Sequence, residues 1–283
     1  MKASGQLELV MAKNDTESFC EWVRINWGLE PVTMEQPEGE RSVVAVYFDT
    51  EALAKAHRRI LPKKYLFQSV RASICREEQW MTFWRHHFHI RDVGHRLRTV
   101  PVWEKAPDRR RINLIIDPGL SFGTGEHFTT RFCLEQLEKA CTDLKPRSML
   151  DAGTGSGILA IAAVKLGVQR VAAFDNDPVC VAKCRENARL NRIGKDRIHF
   201  YQADVLVRDW PGHSADVVCA NILTHILIEA APALWRATRT RLILTGIKET
   251  EGEAVAKAFL ALGAREILRD GDGEWCGIVL SHP

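Results

Sequence analysis

The chain has 283 residues, of which 46% are hydrophobic and 27% charged, a balance typical of globular proteins that excludes wholesale disorder. Lys and Arg exceed Asp and Glu by only 39 − 36 = 3, a net charge too small to attract nucleic acid or a membrane to the protein as a whole. Such a partner would have to bind a local basic patch. The length exceeds that of a usual single domain and favours two unequal domains.

The first 76 residues follow the order strand, helix, strand, strand, helix, strand. Apolar alternation and helical apolar spacing predict elements that include 7–11, 18–27, 43–48, 50–60 and 70–74. That order predicts a small α+β ferredoxin-like domain over residues 1–76. Because nothing in it clusters reactive groups, we expect this domain to recognise the substrate.

Residues 77–111 are rich in Trp, His and Arg and are predicted to connect the two domains. One interpretation is a basic, aromatic surface that meets a substrate or RNA. The other, which we favour, is a helix on which Trp80, Trp84 and Phe88 form an apolar i, i+4, i+8 stripe that docks between the domains. The histidines lack carboxylate or cysteine partners at ligand spacing, which argues against a metal site.

Residues 112–283 alternate strand and helix, a pattern typical of a parallel sheet covered on both faces. Strands are predicted at 148–150, 170–174, 198–201, 216–220 and 242–247. Helices are predicted at 157–166, 178–190, 225–237 and 250–262. The last two strands, 266–268 and 275–280, resemble a hairpin at the sheet's edge. We therefore predict a Rossmann-like α/β domain over residues 112–283.

The first of these strands leads into a glycine loop that runs from Asp151 to Gly157. Open α/β sheets bind ligands outside the carboxyl ends of their strands, where the strand order reverses. Gly153 and Gly155 permit positive φ, and Gly157 lets the next helix start close to its strand. The spacing Gly-x-Gly-x-Gly differs from the Gly-x-Gly-x-x-Gly that dinucleotide folds aim at a pyrophosphate. It suits a cofactor with an amino acid end and no phosphates.

Polar side chains follow the next three strands. Asp175 stands 175 − 153 = 22 residues beyond the first glycine, where a carboxylate can accept both ribose hydroxyls. Asp204 follows the third strand, where it can bind an adenine amino group, and Asn221 ends the fourth. Each could alone be a turn residue or cap, and Asp177 is predicted to be the N-cap before Pro178. Together they predict an S-adenosylmethionine-dependent methyltransferase.

The eight cysteines form no C-x-x-C pair and no regular framework, which favours reduced thiols. Cys180 and Cys184 stand four apart on a predicted helix, and we expect them to pack in the core rather than to bind metal or act in redox chemistry. The amino terminus lacks the apolar stretch of a signal peptide, and Lys165 interrupts the most apolar predicted helix. A cytoplasmic protein without a metal is therefore expected.

Residues 117–130, Asp-Pro-Gly-Leu-Ser-Phe-Gly-Thr-Gly-Glu-His-Phe-Thr-Thr, form a segment far more specific than the glycine loop. With 155–163, 220–223 and 274–276, this segment resembles the PrmA-type methyltransferases, which modify amino groups of a large-subunit ribosomal protein, the eleventh by the usual numbering. The resemblance covers about residues 80–276, and the first domain matches in pattern more than in identity. It implies a class I S-adenosylmethionine-dependent methyltransferase domain preceded by a substrate-recognition domain.

The resemblance also implies the activity and the site. The activity is protein N-methylation at a lysine side chain, an α-amino group or both. Asn221 and Phe122 border the methyl-transfer pocket as the catalytic residues, and Thr130 contacts the cofactor unless it only caps its helix. Together with the positions reached from the residues themselves, the expected cofactor-binding set is Thr130, Gly153, Gly155, Asp175, Asp204 and Asn221.

Methyl transfer from a sulfonium to nitrogen needs an in-line approach and a lone pair, so positioning is expected to supply most of the catalysis. A lysine amine has an unperturbed pKa of about 10.4, and desolvation by an apolar loop around Phe122 favours its neutral form. Asn221 is predicted to orient the amine through a carbonyl oxygen. His225 or His127 is the candidate base, with water as the alternative.

Three residues beside the expected pocket depart from the family's pattern. Glu126 stands where a small residue or Thr is usual, Phe128 where Pro is usual, and Thr224 where Ala is usual. A different protein, an RNA or a small molecule therefore stays open as the substrate, although the residues after Asn221 lack the Pro-Pro-aromatic continuation of nucleobase amine methyltransferases.

Two further alternatives are a nicotinamide oxidoreductase, disfavoured by the glycine spacing, and a non-catalytic ribosome-binding module. The expected partner is the ribosomal protein, free or on the ribosome. Neither a membrane nor a direct nucleic-acid substrate is expected, and the enzyme is expected to be a monomer.

Overall fold

The computed structural model describes residues 4–27, 29, 31–35, 40–48, 50–75, 88–108, 110–117, 123, 125–207 and 214–282. The chain divides into two compact units, Met1–Trp84 and Arg85–Pro283. The predicted helical stripe falls largely outside the described residues, because Trp80 and Trp84 are among those not described. In the part of the chain that the structure describes, no helix has both the length and the apolar character needed to cross a membrane.

The first unit is an antiparallel sheet with two helices. Its elements are β1 (Ser4–Ala12), α1 (Lys13–Trp27), β2 (Val32–Glu35), β3 (Arg41–Phe48), α2 (Glu51–Arg59) and β4 (Phe67–Cys75). The strands lie in the order β2-β3-β1-β4, and each adjacent pair is antiparallel. This βαββαβ arrangement is the predicted ferredoxin-like α+β sandwich.

The apolar core of the first unit lies on one face of this sheet. Leu7, Leu9 and Met11 alternate along β1 and are buried, the period-two pattern of a strand with one covered face. Phe19 of α1 packs edge-on against Tyr65 with ring centroids 5.3 Å apart. These contacts explain why the strand and helix patterns of this region can be predicted from apolar spacing.

The second unit begins with a small sheet of three strands, β5 (Arg91–Val93), β6 (Leu97–Pro101) and β7 (Ile112–Ile116), in that order. Strand β6 pairs antiparallel with β5 and parallel with β7. Residues 77–111 are predicted only as a connector, without strands, so β5 and β6 are elements that the sequence analysis does not predict. In the structure Arg98 is only 9% exposed and is paired with Asp92 at 2.5 Å and Asp108 at 3.2 Å, which offsets the cost of burying its charge.

The remaining elements alternate helix and strand. They are α3 (Phe128–Leu144), β8 (Ser148–Ala152), α4 (Ile158–Lys165), β9 (Arg170–Asp175), α5 (Pro178–Leu190), β10 (Ile198–Gln202), β11 (Ala215–Asn221), α6 (Thr224–Ala237), β12 (Thr238–Lys248), α7 (Gly252–Leu260), β13 (Arg265–Gly271) and β14 (Trp275–Ser281). A short 3₁₀ turn, Glu249–Glu251, precedes α7.

Seven of these strands form one sheet in the order β10-β9-β8-β11-β12-β14-β13. The first five are parallel, and β14 is antiparallel to both of its neighbours, so the predicted terminal hairpin is confirmed. The strand order reverses between β8 and β11, and the crevice at the carboxyl ends of those two strands is where such sheets bind ligands. The predicted Rossmann-like fold class is therefore confirmed.

Candidate active site

The glycine loop follows β8 at the reversal point of the sheet. Gly153, Gly155 and Gly157 have φ angles of 76°, 54° and 84°, conformations that side chains other than glycine rarely adopt. The N–H groups of Gly153 and Thr154 both donate to the carbonyl of Phe174, at 2.9 Å each. A Cβ on Gly153 would lie 2.3 Å from Cγ2 of Ile222. The loop therefore lies between the ends of β9 and β11, in contact with both.

Asp175 ends β9 and contacts the glycine loop directly. Its Oδ2 accepts the N–H of Gly155 at 2.9 Å, and its Oδ1 accepts the N–H of Asp177 at 3.1 Å. Its backbone carbonyl accepts the N–H of Ala203 at 3.0 Å. One partly buried carboxylate thus joins the segments that follow β8 and β9, and its backbone reaches the segment after β10.

Asp177 is the N-cap of α5, as predicted. Its Oδ1 accepts the N–H of Val179 at 2.8 Å, and Pro178 occupies the first helical turn. Asp204 follows β10 and is exposed, and its carboxylate accepts the N–H of Leu206 at 2.9 Å. Asp204 therefore forms a turn, one of the two roles considered for it, and its predicted contact with adenine stays a prediction.

Asn221 ends β11 and is partly buried. The segment that follows it lies against β12, where the N–H of Ile222 donates to the carbonyl of Thr245 at 3.2 Å. A Cβ on Gly246 would come within 2.4 Å of the carbonyl of Ile222, so β12 needs glycine at this point. Asn221 is thereby held at the same crevice as Gly153, since both lie beside Ile222.

Two buried side-chain oxygen atoms lack a hydrogen-bond partner in the described part of the chain: Oδ1 of Asp151, at the start of the glycine loop, and Oγ1 of Thr130, in the first turn of α3. Both residues are 1% exposed. The other carboxylate oxygen of Asp151 accepts the hydroxyl of Thr154 at 2.6 Å. Burial raises the pKa of Asp151 to about 7. A buried polar atom without a hydrogen-bond partner costs about 1–3 kcal/mol of stability. A ligand that forms a hydrogen bond with either of these two oxygen atoms would remove that cost.

Asp151 is a residue that the predicted site omits. The sequence signal for it is the acid immediately before the glycine loop, but burial and an unpartnered oxygen cannot be predicted from that position alone. Thr130 does not cap its helix, the alternative considered for it, because His127 is the N-cap of α3 and its Nδ1 accepts the N–H of Thr129.

The segment before α3 contacts the glycine loop at Gly123. The hydroxyl of Ser156 donates to the carbonyl of Gly123 at 2.5 Å. Gly125 has a φ of 92°, and a Cβ there would lie 2.6 Å from Cγ2 of Thr99 in β6. Phe122, predicted to border the methyl-transfer pocket, lies outside the described residues.

The two candidate bases differ in their surroundings. His127 packs edge-on against Trp275 with centroids 5.2 Å apart, and burial lowers its pKa. His225 is exposed in the first turn of α6. Glu126, one of the departures from the family's pattern, pairs with Arg91 at 3.0 Å.

The cysteine that touches the loop is Cys184, whose thiol donates to the carbonyl of Gly155 at 3.1 Å. Burial raises its pKa well above the ordinary value, so the thiol stays protonated. Cys184 is fully buried and Cys180 is partly buried, and neither forms a disulfide. Within the described ranges no group of three or more His, Cys, Asp or Glu side chains could hold a metal ion.

The donor set fits S-adenosylmethionine. Oδ1 of Asp151 and Oγ1 of Thr130 could bond the amino acid end of that cofactor, and Asp175 offers a carboxylate for hydroxyl groups such as those of a ribose. Because the glycine loop already donates to protein oxygens of Phe174 and Asp175, it is not arranged as a cradle for phosphates.

Comparison with known proteins agrees with this geometry. A family model described as ribosomal protein L11 methyltransferase (PrmA) matches residues 9–283. The ribosomal protein L11 methyltransferase of Pseudomonas savastanoi pv. phaseolicola is 42% identical over 214 residues, which are 75% of this chain and 71% of that protein. That of Haemophilus influenzae strain PittEE is 36% identical over 244 residues, 85% of this chain and 80% of that protein.

A solved structure is also similar over most of the chain. The crystal structure of a ribosomal protein L11 methylase from Lactobacillus delbrueckii subsp. bulgaricus has a TM-score of 0.62 and 33% identity, and it covers 69% of this chain and 99% of its own. With a family match over nearly the whole length, and with the sheet and donor set described above, the chain belongs to the ribosomal protein L11 methyltransferase (PrmA) family of S-adenosylmethionine-dependent methyltransferases.

Proposed function

We propose that this protein transfers methyl groups from S-adenosylmethionine to amino groups of ribosomal protein L11, at a lysine side chain, an α-amino group or both. The observation that supports the proposal is that Asp151, Asp175 and Asn221 stand at the carboxyl ends of β8, β9 and β11, beside the glycine loop, in a chain that belongs to this family. Transfer to an amino group needs an in-line approach and a free lone pair, which this crevice would supply by positioning.

The described residues would hold the cofactor in the following way. Asp151 and Thr130 would bond its amino acid end, and Asp175 its ribose hydroxyls. The remaining members of the proposed cofactor-binding set are Gly153, Gly155, Asp204 and Asn221. When bound, the cofactor supplies an electrophilic methyl group on a sulfonium, which is already a good leaving group.

The protein's own contribution to transfer is proposed to be orientation and exclusion of water. Asn221, at the end of β11, would accept a hydrogen bond from the incoming amine through a carbonyl oxygen, which points the nitrogen lone pair at the methyl group. Phe122 would line the pocket and favour the neutral amine by desolvation. His225 is exposed and can pass a proton to solvent, and an unchanged pH-rate profile for His225→Ala would assign that step to water.

The division of labour along the chain is also part of the proposal. Residues 1–76 recognise L11, and residues 112–283 bind the cofactor and transfer the methyl group. Residues 77–111 connect these two domains. We also propose that the protein acts in the cytoplasm as a monomer; the reduced state of the described cysteines supports the compartment.

The test is transfer of radiolabelled methyl from the cofactor to purified L11, with ribosomal RNA as the competing acceptor. Label is expected in L11 and absent from RNA. Asp175→Asn should abolish transfer, because the amide cannot accept both the Gly155 N–H and two ribose hydroxyls as the carboxylate can.

Asp177→Asn is the matched control, since Asp177 lies two residues away and caps α5. It should keep full transfer, because Asn is an equally good N-cap. Label in RNA alone would overturn the proposed substrate, and full transfer by Asp175→Asn would overturn the proposed cofactor site.

A further inference from the structure

We propose that Asn187 of α5 is a positioning residue that joins the glycine loop to the segment beginning at Asp117, an inference that rests on the proposed placement of the cofactor. Asn187 is 0% exposed. Its Oδ1 accepts the N–H of Asp117 at 2.9 Å, and its Nδ2 donates to the carbonyls of Asp117 at 3.1 Å and Ser156 at 2.9 Å. Both amide N–H groups and the amide oxygen of Asn187 therefore form hydrogen bonds. Two of these bonds are to Asp117, and one is to Ser156 of the glycine loop.

Ser156 ties the same segment to the loop at a second point. Its hydroxyl donates to the carbonyl of Gly123 at 2.5 Å, while its own carbonyl accepts from Asn187. Asp117 and Gly123 flank the stretch that contains Phe122. Both flanking residues are thus bonded to one residue of the glycine loop, Gly123 directly and Asp117 through Asn187.

Asn191 makes a similar contact one helical turn further along α5, without reaching the glycine loop. Its Oδ1 accepts the N–H of Ile115 at 2.9 Å, and its Nδ2 donates to the carbonyls of Ile115 at 2.6 Å and Asn187 at 2.8 Å. The i, i+4 spacing places the two amides on one face, where they bond alternate residues at the edge of β7 as a neighbouring strand would.

This pair separates a positioning role from a structural one. Either substitution to alanine removes the hydrogen bonds to partly buried backbone groups at the end of β7, so both are expected to lower the melting temperature by similar amounts. Only Asn187→Ala removes the bond to Ser156, so only that variant should disturb the glycine loop.

The experiment measures cofactor affinity by calorimetry with S-adenosylmethionine, and kcat and KM for L11, in the full-length wild type, Asn187→Ala and Asn191→Ala. Asn187→Ala is expected to weaken cofactor binding about tenfold, the loss for one buried hydrogen bond, and to lower kcat at saturating cofactor. Asn191→Ala is expected to keep both within about twofold.

Equal cofactor dissociation constants and kcat values in the two variants would overturn the inference. If Asn187→Ala does not fold, Asn187→Ser, which keeps one hydroxyl at the site, takes its place under the same criteria. If the wild type binds cofactor but transfers nothing to L11, the proposed function fails, while the comparison of dissociation constants still decides the role of Asn187.

Discussion

Replacement of Asp151 by Asn tests the most unusual electrostatic feature of the site. Asp151 is 1% exposed, and its Oδ2 accepts the hydroxyl of Thr154. Because burial disfavours its charged form, its pKa rises from an ordinary 3.8 to about 7. The substitution removes the titrating proton and keeps the shape of the side chain.

The sign of the effect follows from proton linkage. Between pH 4 and pH 7 the unfolded chain releases the proton of Asp151 while the folded protein keeps it, so the wild type loses stability as pH rises. The slope is about 1.4 kcal/mol per pH unit, which sums to on the order of 4 kcal/mol over that window. Above pH 7 the carboxyl is ionised in both states, and no further loss is expected.

The assay is urea unfolding of the cofactor-free protein at pH 5, 6, 7 and 8. The difference in free energy of unfolding between Asp151→Asn and wild type cancels the groups that both proteins share. This difference should rise by about 3 kcal/mol in favour of the variant from pH 5 to pH 7 and then level off. Parallel pH profiles for wild type and Asp151→Asn would refute the buried, protonated carboxyl.

Two other substitutions probe the same crevice. Thr130→Val removes a buried hydroxyl that has no partner in the described structure, so the free energy of unfolding should stay equal or rise by about 1 kcal/mol in a denaturation experiment. The cofactor dissociation constant measured by calorimetry should increase about tenfold. An unchanged dissociation constant would contradict the proposed role of Thr130. Gly153→Ala introduces a Cβ 2.3 Å from Ile222 at a φ of 76°, so cofactor binding should be lost. Because the clash involves one side chain, adding Ile222→Ala to this variant should restore part of the binding. Full cofactor binding by Gly153→Ala alone would count against the loop geometry.

The elements that could be predicted from the sequence are those set by local rules. Leu7, Leu9 and Met11 show a strand by their alternation, and the Asp177-Pro178 pair shows a helix start, because the signal lies within a few residues. Residues whose role depends on distant partners could not be predicted. Arg98 looks like a surface residue until Asp92 and Asp108 are placed beside it.

The same limit applies within the site. Asp175 and Asn221 could be predicted because strand ends in a parallel sheet meet at one edge. The burial of Asp151, the unpartnered hydroxyl of Thr130 and the bridge made by Asn187 depend on how α3 and α5 pack, over separations of 31 to 70 residues in the case of Asn187. The start of α3 shows this on a small scale, since His127 caps the helix through a ring nitrogen that common cap preferences do not include.

The most direct measurement of the proposed activity is mass spectrometry of ribosomal protein L11 from cells with and without this protein. We predict methyl groups on amino groups of L11 in the first case and their loss in the second, with restoration by the wild-type chain and not by Asp175→Asn. Identical L11 masses in both cells, or a methyl group lost from RNA instead, would contradict it.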